Sequence, residues 1–103
     1  MKHIHSDDEY KSLSKSGKMV LKFGTTWCGP CKKIAPYFEE LSSEYTGILF
    51  ASLDAEECEK TSESLKITAL PTFVILDNGK EVDRIAGADK KKLKNSLEKI
   101  SEN

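Results

Sequence analysis

The chain has 103 residues, of which 38% are hydrophobic and 32% charged, and its formal net charge is −1. This length suits one domain, residues 1–103, with its own core, and the near-zero charge argues against nucleic acid or an anionic membrane as the main partner. No stretch approaches the roughly 20 apolar residues of a membrane span. The N-terminal residues lack the apolar core of a secretory signal, so we expect a cytoplasmic protein.

The first half of the chain predicts three strands that alternate with two helices. A short edge strand is expected at residues 2–5, and Ser6 with the glutamate three residues later resembles the capping box that opens a helix. Residues 19–24 are an apolar run typical of a buried strand. A longer helix follows, and Pro36 inside it is expected to bend it. Residues 48–53 predict the next buried strand.

The second half predicts a short helix, a β-hairpin and a final helix. Residues 54–66 are polar and predict a short, weak helix. Two strand-like segments, residues 72–76 and 81–85, flank an Asn-Gly pair that supplies the positive φ values of tight hairpin turns. Apolar residues between 93 and 100 mark one side of an amphipathic helix. The order βαβαβαββα predicts an α/β fold with a central mixed sheet and helices on both faces.

A Cys-x-x-Cys motif, Cys28-Gly29-Pro30-Cys31, lies between the second strand and the long helix. At a strand-to-helix turn this spacing indicates a dithiol that cycles between reduced and disulfide forms. Cys28 is expected at the helix N-terminus, where unpaired amides and the helix dipole stabilise a thiolate, and Cys31 one turn further in should be less exposed. Gly29 permits the tight turn, and Pro30 begins the helix without the loss of a useful donor. Cys28 is therefore the predicted nucleophile and Cys31 the resolving cysteine.

Several segments beyond this motif resemble the thioredoxin family, and the resemblance covers nearly the whole chain. They are Trp27 to Lys32, Pro36, Leu70-Pro71-Thr72, Asn78-Gly79-Lys80 and Gly87-Ala88. Gly-Pro between the cysteines is typical of thioredoxins, whereas glutaredoxins usually carry Pro-Tyr and protein disulfide isomerases Gly-His. The resemblance implies a thioredoxin fold and a protein disulfide reductase that works through a Cys28–Cys31 dithiol/disulfide cycle, with Pro30 stiffening the loop in favour of a reducing couple.

The resemblance also implies partners and a substrate groove. No cofactor is expected to be bound. Electrons would come from NADPH through a thioredoxin reductase and pass to disulfide-containing proteins such as peroxiredoxins, and the protein would act as a monomer. Pro71 matches the family's cis-proline, which faces the active cysteines. The shallow groove around Cys28 would be formed by Trp27, Leu70, Pro71, Gly87 and Ala88; the plainer alternative for each is packing in the core or in a turn.

Lys22 departs from the family pattern, because most thioredoxins carry a buried aspartate six residues before the first cysteine. That aspartate is thought to accept the proton of the second cysteine. A protonated lysine cannot do so, although burial can lower the pKa of a lysine enough to give a neutral amine. Three interpretations stay open for this tuning residue. Lys22 stabilises a thiolate and makes the couple more oxidising, it acts as an unusual base, or its stem reaches solvent or a carboxylate and changes little.

Cys58 has no second Cys-x-x-Cys motif beside it. The plainer interpretation is a free thiol near a helix start, and the alternative is a regulatory or dimer-forming cysteine. His3 and His5 alternate along the first strand and are interpreted as ordinary edge-strand residues.

Three other functions compete with the reductase. A thioredoxin-fold oxidant or isomerase is favoured by Lys22 and opposed by the Gly-Pro pair. A redox-switched binding module would hold a partner protein in the groove. A structural zinc site would use Cys28, Cys31, His3 and His5, and it requires the first strand to reach the cysteine turn.

Overall fold

Five strands and four helices lie within residues 1–102, the part of the chain that this computed structural model describes. The strands are β1 (Lys2–Ile4), β2 (Lys18–Gly24), β3 (Ile48–Asp54), β4 (Thr72–Asp77) and β5 (Lys80–Ala86). The helices are α1 (Asp7–Leu13), α2 (Gly29–Glu44), α3 (Glu59–Ser64) and α4 (Lys90–Ser101). The predicted order of elements is confirmed.

The strands form one mixed sheet in the order β1-β3-β2-β4-β5. The first three in this order are parallel, because each is joined to the next along the chain by a helical crossover. β4 is antiparallel to both β2 and β5. The hairpin between β4 and β5 turns at Asn78 and Gly79, whose φ values of 51° and 85° are those of a tight turn.

Apolar layers on the two faces of the sheet make the core, because alternate side chains of each strand point to opposite faces. The face covered by α2 and α4 buries Val20, Ile34, Phe38, Leu41, Ile48, Phe50, Phe73, Ile75, Ile85, Leu93, Leu97 and Ile100. The face covered by α1 and α3 buries Ile4, Met19, Leu21, Phe23, Ala51, Leu53, Cys58, Val74 and Leu76. No helix within residues 1–102 is long and apolar enough to cross a membrane.

The helix starts agree with the predicted signals, with one difference. Ser6 is the N-cap of α1 and accepts a hydrogen bond from the Glu9 backbone N–H at 3.1 Å. The Glu9 carboxylate, however, accepts from the backbone N–H of His5 at 2.8 Å, one residue before the cap. α2 continues through Pro36 to Glu44.

The fold leaves an opening where β2 and β3 end side by side. Gly24 and Asp54 are the last paired residues of these strands. The chain leaves β2 toward α2 on one face of the sheet and leaves β3 toward α3 on the other. Adjacent strands whose following helices lie on opposite faces create a crevice at their carboxyl ends, which is the usual ligand site of open α/β sheets.

Candidate active site

Cys28 and Cys31 form a disulfide at the start of α2, with their α-carbons 5.3 Å apart. Cys28 is the N-cap of the helix, and its Sγ accepts a hydrogen bond from the Cys31 backbone N–H at 3.3 Å. Pro30 lies in the first turn, where its missing N–H leaves no helix hydrogen bond unmade. After reduction, the Cys28 sulfur lies at the positive end of the helix dipole, which stabilises a thiolate.

The two cysteines differ little in exposure, 6% for Cys28 and 4% for Cys31. Cys31 is the less exposed, as predicted, but so small a difference does not separate their roles. The helix geometry does separate them, because Cys28 caps α2 and Cys31 lies one turn inside it. On this geometry, the assignment of Cys28 as nucleophile and Cys31 as resolving cysteine stays our prediction.

Gly24 lies directly against Cys31 at the end of β2. A Cβ placed on Gly24 would lie 3.2 Å from the Cys31 Sγ and 3.3 Å from its Cβ, closer than side chains normally approach. The missing side chain therefore makes room for the Cys31 side chain. No feature of the sequence marks this role, since a single glycine at a strand end has many possible uses.

The Leu70–Pro71 peptide bond is cis, as the resemblance implied. Thr72 pairs with Phe23 in the antiparallel ladder, so the same register places Pro71 beside Gly24 at the cysteine end of the sheet. The Pro71 carbonyl accepts a hydrogen bond from the Gly87 N–H at 2.7 Å. Gly87 has a φ of 99°, a conformation that favours glycine. The structure thus joins two of the predicted groove residues.

The other predicted groove residues differ in their exposure to solvent. Trp27 is 68% exposed, and its Nε1 donates a hydrogen bond to Glu56 at 3.0 Å. Ala88 is exposed. Leu70 is half-buried and packs against the core on the α1 and α3 face, so core packing, the plainer alternative, accounts for part of its surface. Glu56 was not predicted, because it belongs to an acidic segment without any motif.

Lys22 lies half-buried on the sheet face covered by α2. Its Nζ lies 5.9 Å from the centroid of the Phe38 ring, and it forms no hydrogen bond or ion pair with the described residues. Burial lowers the pKa of Lys22, and the Glu39 carboxylate opposes that shift. Lys22 therefore forms no close ion pair with a carboxylate among residues 1–102. Stabilisation of a thiolate by Lys22 and base catalysis by Lys22 stay predictions.

A cleft of about 290 Å³ opens at the crevice between the strand ends, and we call it the strand-end cleft. Its wall includes Cys31 from α2, Lys22 and Thr25 from β2 and the loop after it, and Ser52 from β3. Cys28 and the five predicted groove residues do not line it. The strand-end cleft therefore includes Cys31 but is distinct from the predicted groove around Cys28.

Comparison with known proteins settles the family. A sequence model of the family Thioredoxin matches residues 2–99. Thioredoxin 1 of Plasmodium falciparum is 39% identical over 102 residues, which cover 98% of each chain. This chain belongs to the thioredoxin family.

Solved thioredoxin structures share the fold. The structure of Plasmodium falciparum thioredoxin has a TM-score of 0.92 at 39% identity and covers 96% of this chain and 98% of its own. A structure that concerns thiol resolution in the yeast mitochondrial 1-Cys peroxiredoxin by glutathione/thioredoxin systems gives 0.90 at 29% identity, with 96% and 94% coverage. The predicted thioredoxin fold is confirmed. As a thioredoxin-family member with an intact cysteine pair, the protein is a thiol-disulfide oxidoreductase.

The side chains of the alternative zinc site already have other partners in the structure. His3 and His5 line the same strand-end cleft as Cys31. The two histidines, however, contact Ser52 and Glu57, and Cys31 is bonded to Cys28. Among residues 1–102, no group of three His, Cys, Asp or Glu side chains is arranged to hold a metal ion.

Cys58 is the third cysteine of this thioredoxin, and it is the free thiol predicted from the sequence. It lies at the N-cap of α3, is fully buried, and its Sγ is 4.0 Å from the Ile4 carbonyl oxygen. Burial, helped by nearby carboxylates of which Asp7 acts most strongly, raises the pKa of Cys58 to about 11. A protonated and inaccessible thiol is a poor nucleophile, so Cys58 is separate from the exchange chemistry.

Proposed function

We propose that this protein is a general protein disulfide reductase that receives electrons from NADPH through a thioredoxin reductase. The observation that carries the proposal is the position of Cys28 at the N-cap of α2, within disulfide-bonding distance of Cys31. A helix N-terminus lowers the pKa of a cysteine, and a neighbouring thiol can then complete the exchange. Disulfide-containing proteins such as peroxiredoxins are the proposed substrates. A yeast relative of this fold, studied with a 1-Cys peroxiredoxin, supports that choice.

The proposed cycle has two exchange steps. The Cys28 thiolate attacks one sulfur of the target disulfide, forms a mixed disulfide and releases the other target sulfur as a thiolate, which takes up a proton. Cys31 then loses its proton and attacks the Cys28 sulfur, which releases the second target thiolate and leaves the Cys28–Cys31 disulfide. The target gains two electrons and the protein loses two. The thioredoxin reductase returns them to the disulfide.

The groove gives the proposed target a place to bind beside Cys28. The exposed face of Trp27 offers apolar contact. Pro71 carries no N–H, and its carbonyl is already bound to Gly87. An extended target segment would therefore pair with the backbone of Leu70, the residue before the cis bond.

A second candidate, an oxidant or isomerase, is favoured by one observation. Lys22 is a half-buried cation on the sheet face that faces α2, and a positive charge near the cysteines stabilises the reduced, thiolate-bearing form. A couple stabilised in its reduced form is a stronger oxidant. The Gly-Pro pair between the cysteines favours the reductase, and we choose the reductase on the strength of that motif.

The reduction potential of the Cys28–Cys31 couple separates the two candidates. It is measured by equilibration against a defined thiol-disulfide buffer. A value near about −270 mV, characteristic of thioredoxins, supports the reductase, whereas about −180 to −120 mV belongs to isomerases and oxidants. Coupled oxidation of NADPH, with a thioredoxin reductase and a disulfide-bonded protein, tests the electron source. A binding module without turnover would fail this second assay.

We also propose that the protein acts as a monomer in the cytoplasm. The free thiol of Cys58 is in keeping with a reducing compartment, where structural disulfides are rare. Sedimentation of the purified protein and fractionation of cells test the two statements separately. A stable dimer, or the bulk of the protein in an oxidising compartment, would contradict them.

A further inference from the structure

The second exchange step of the proposed cycle requires a group that accepts the thiol proton of Cys31. The sulfur of Cys31 attacks Cys28 only as a thiolate, so the proton must leave first. Cys31 is 4% exposed, and hydroxide from bulk solvent therefore reaches its sulfur poorly. The strand-end cleft is an opening whose wall includes Cys31. We therefore expect the proton acceptor among the groups that line this cleft.

Asp54 is the carboxylate that the sheet places beside the Cys31 sulfur. Gly24 and Asp54 are partners in the parallel β2–β3 ladder, and side chains of such partners point to the same face from strands about 4.8 Å apart. A Cβ on Gly24 would lie 3.2 Å from the Cys31 Sγ, so the sulfur lies over that same face. Asp54 also lines the cleft together with Cys31. This places the carboxylate one strand away from the sulfur, and a base can act directly or through one water molecule.

The Asp54 carboxylate is held in place and keeps one oxygen free. Its Oδ1 accepts a hydrogen bond from the Glu56 backbone N–H at 2.7 Å. Its Oδ2 accepts no hydrogen bond and forms no ion pair within residues 1–102. The cleft volume of about 290 Å³ has room for water molecules that would bridge this oxygen and the Cys31 sulfur. Asp54 thus combines a fixed side chain with an oxygen that can take up a proton.

The other titratable groups of the cleft are less suited to this role. They are His3, His5, Lys22, Lys32 and Glu57. The side chains of His5 and Glu57 contact each other at 3.3 Å and are 71% and 50% exposed, so both extend toward solvent. His3 lies on the edge strand and contacts the hydroxyl of a β3 serine at 2.9 Å. The two lysines have no lone pair while they are protonated. Asp54 is therefore the half-buried carboxylate of the cleft.

We propose that Asp54 accepts the Cys31 proton in the resolving step, an inference that rests on the proposed exchange cycle. The Cys31 S–H bond breaks, and its proton passes to the free Asp54 oxygen directly or through one water molecule. The Cys31 sulfur keeps the electron pair and forms a bond with the Cys28 sulfur. The bond between Cys28 and the target sulfur breaks, and its electron pair leaves with the target thiolate. Asp54 then gives its proton to water in the cleft, and the target thiolate takes up a proton from solvent.

The test follows the reaction of the reduced full-length protein with an excess of an aromatic disulfide by stopped-flow absorbance. Attack by Cys28 releases a first aromatic thiol, at a rate that rises with the reagent concentration. Attack by Cys31 then releases a second one, at a rate that does not depend on that concentration. Asp54→Asn keeps an oxygen for the Glu56 N–H but cannot take up a proton in this way. At pH 7 it should slow the second phase by about a hundredfold and change the first phase much less.

The pH profile of the second phase distinguishes a proton acceptor from a residue that only supports the structure. In Asp54→Asn, hydroxide must remove the Cys31 proton, so the rate should rise about tenfold per pH unit between about pH 6 and pH 8. The rate of the unmodified protein should change far less, because its acceptor is part of the chain. Glu57→Gln removes a carboxylate from the same cleft and is the matched control. It should keep the rate and the pH profile of the unmodified protein.

Circular dichroism first shows that each variant is folded. The proposal is overturned if the second phase of Asp54→Asn is as fast as that of the unmodified protein, or is slower without the dependence on hydroxide. Equal slowing in Glu57→Gln would also overturn it, as would hydroxide dependence in Lys22→Met but not in Asp54→Asn, which would assign the proton to the lysine amine. These measurements use neither NADPH nor a thioredoxin reductase, and the first phase reports attack by Cys28 separately. Failure here is therefore distinguishable from failure of the proposed function.

Discussion

The indole of Trp27 is hydrogen-bonded to the carboxylate of Glu56, although Trp27 is 68% exposed. The bond joins the residue before Cys28 to the segment that follows β3. The Glu56 backbone is held as well, because its N–H donates to the Asp54 carboxylate at 2.7 Å. The hydrogen bond therefore favours one orientation of the exposed ring beside Cys28, which lowers the cost of ordering the ring when a target binds.

Glu56→Ala should release the Trp27 ring and weaken the reduction of protein disulfides by about two- to tenfold, the usual range for one lost hydrogen bond. The effect should fall on KM, since the cysteines are untouched. The chain contains one tryptophan, so fluorescence anisotropy reports directly on this ring and should fall. Glu56→Gln keeps an acceptor and is the matched control. Equal anisotropy in the two variants would show that the hydrogen bond does not order the ring.

Cys31→Ser should trap the protein in a mixed disulfide with its target. Cys28 can still attack, but the second exchange step has no thiol to complete it. Mass spectrometry of the protein after exposure to a disulfide-bonded target should show the adduct. Cys28→Ser should form none. If the Cys28→Ser variant formed an adduct on Cys31 in the amount expected for Cys31→Ser, the assigned roles would be reversed.

Lys22→Asp should raise the pKa of the cysteine pair. The change replaces a positive charge near the thiolates by a negative one, and a negative neighbour disfavours the ionised form. Ultraviolet absorbance of the thiolate, followed as a function of pH in the reduced protein, measures this. Lys33→Asp makes the same change of charge at an exposed α2 position and should shift the titration less. An unchanged titration in Lys22→Asp would reject electrostatic tuning by this residue.

Cys58 should make the folded protein lose stability in alkaline solution. Its pKa is about 11 in the folded protein and 9.0 ordinarily, so the unfolded chain releases this proton first. The stabilisation that the protonated Cys58 thiol contributes is therefore fully present below about pH 9, and it declines as the pH rises toward 11. Unfolding by urea, measured across this range, should show a steeper decline for the unmodified protein than for Cys58→Ala. If the free energy of unfolding fell equally with pH in both proteins, the Cys58 thiol would have its ordinary pKa in the folded protein.

Cys58 should also be unreactive toward thiol reagents at neutral pH. In the reduced protein, a bulky aromatic disulfide reagent should oxidise Cys28 and Cys31 to their disulfide, with release of two aromatic thiols, and should leave Cys58 until the protein unfolds. A dimer that reducing agents dissolve, and that Cys58→Ser abolishes, would contradict this and would restore the regulatory interpretation.

The order of elements and the active motif could be predicted because both depend on neighbours in the chain. The cysteine spacing, the capping of α1 by Ser6 and the Asn-Gly hairpin each involve a few consecutive residues. Because alternate side chains of a strand point to opposite faces, the position of Lys22 on the same face as Val20, and not on that of Leu21, also depends on chain neighbours alone. The limits of the domain at residues 1–103 stay a prediction.

The missed features depend on contacts between distant parts of the chain. Trp27 and Glu56 are 29 positions apart, and His3 and Ser52 are 49 apart. Their segments carry no motif, and the crevice that joins β1, β2 and β3 exists only once the parallel sheet has formed. Gly24 likewise gains its role from the sulfur that packs against it.

The burial of Cys58 limits how many electrons one chain can carry. With the third sulfur out of reach, neither cysteine of the active pair can exchange with it, and no alternative internal disulfide competes with Cys28–Cys31. Each chain therefore holds one electron pair or none. In each turnover of the proposed cycle, one NADPH should reduce one target disulfide through one electron pair held by the chain, and any further NADPH consumed would mean that electrons leave by another route.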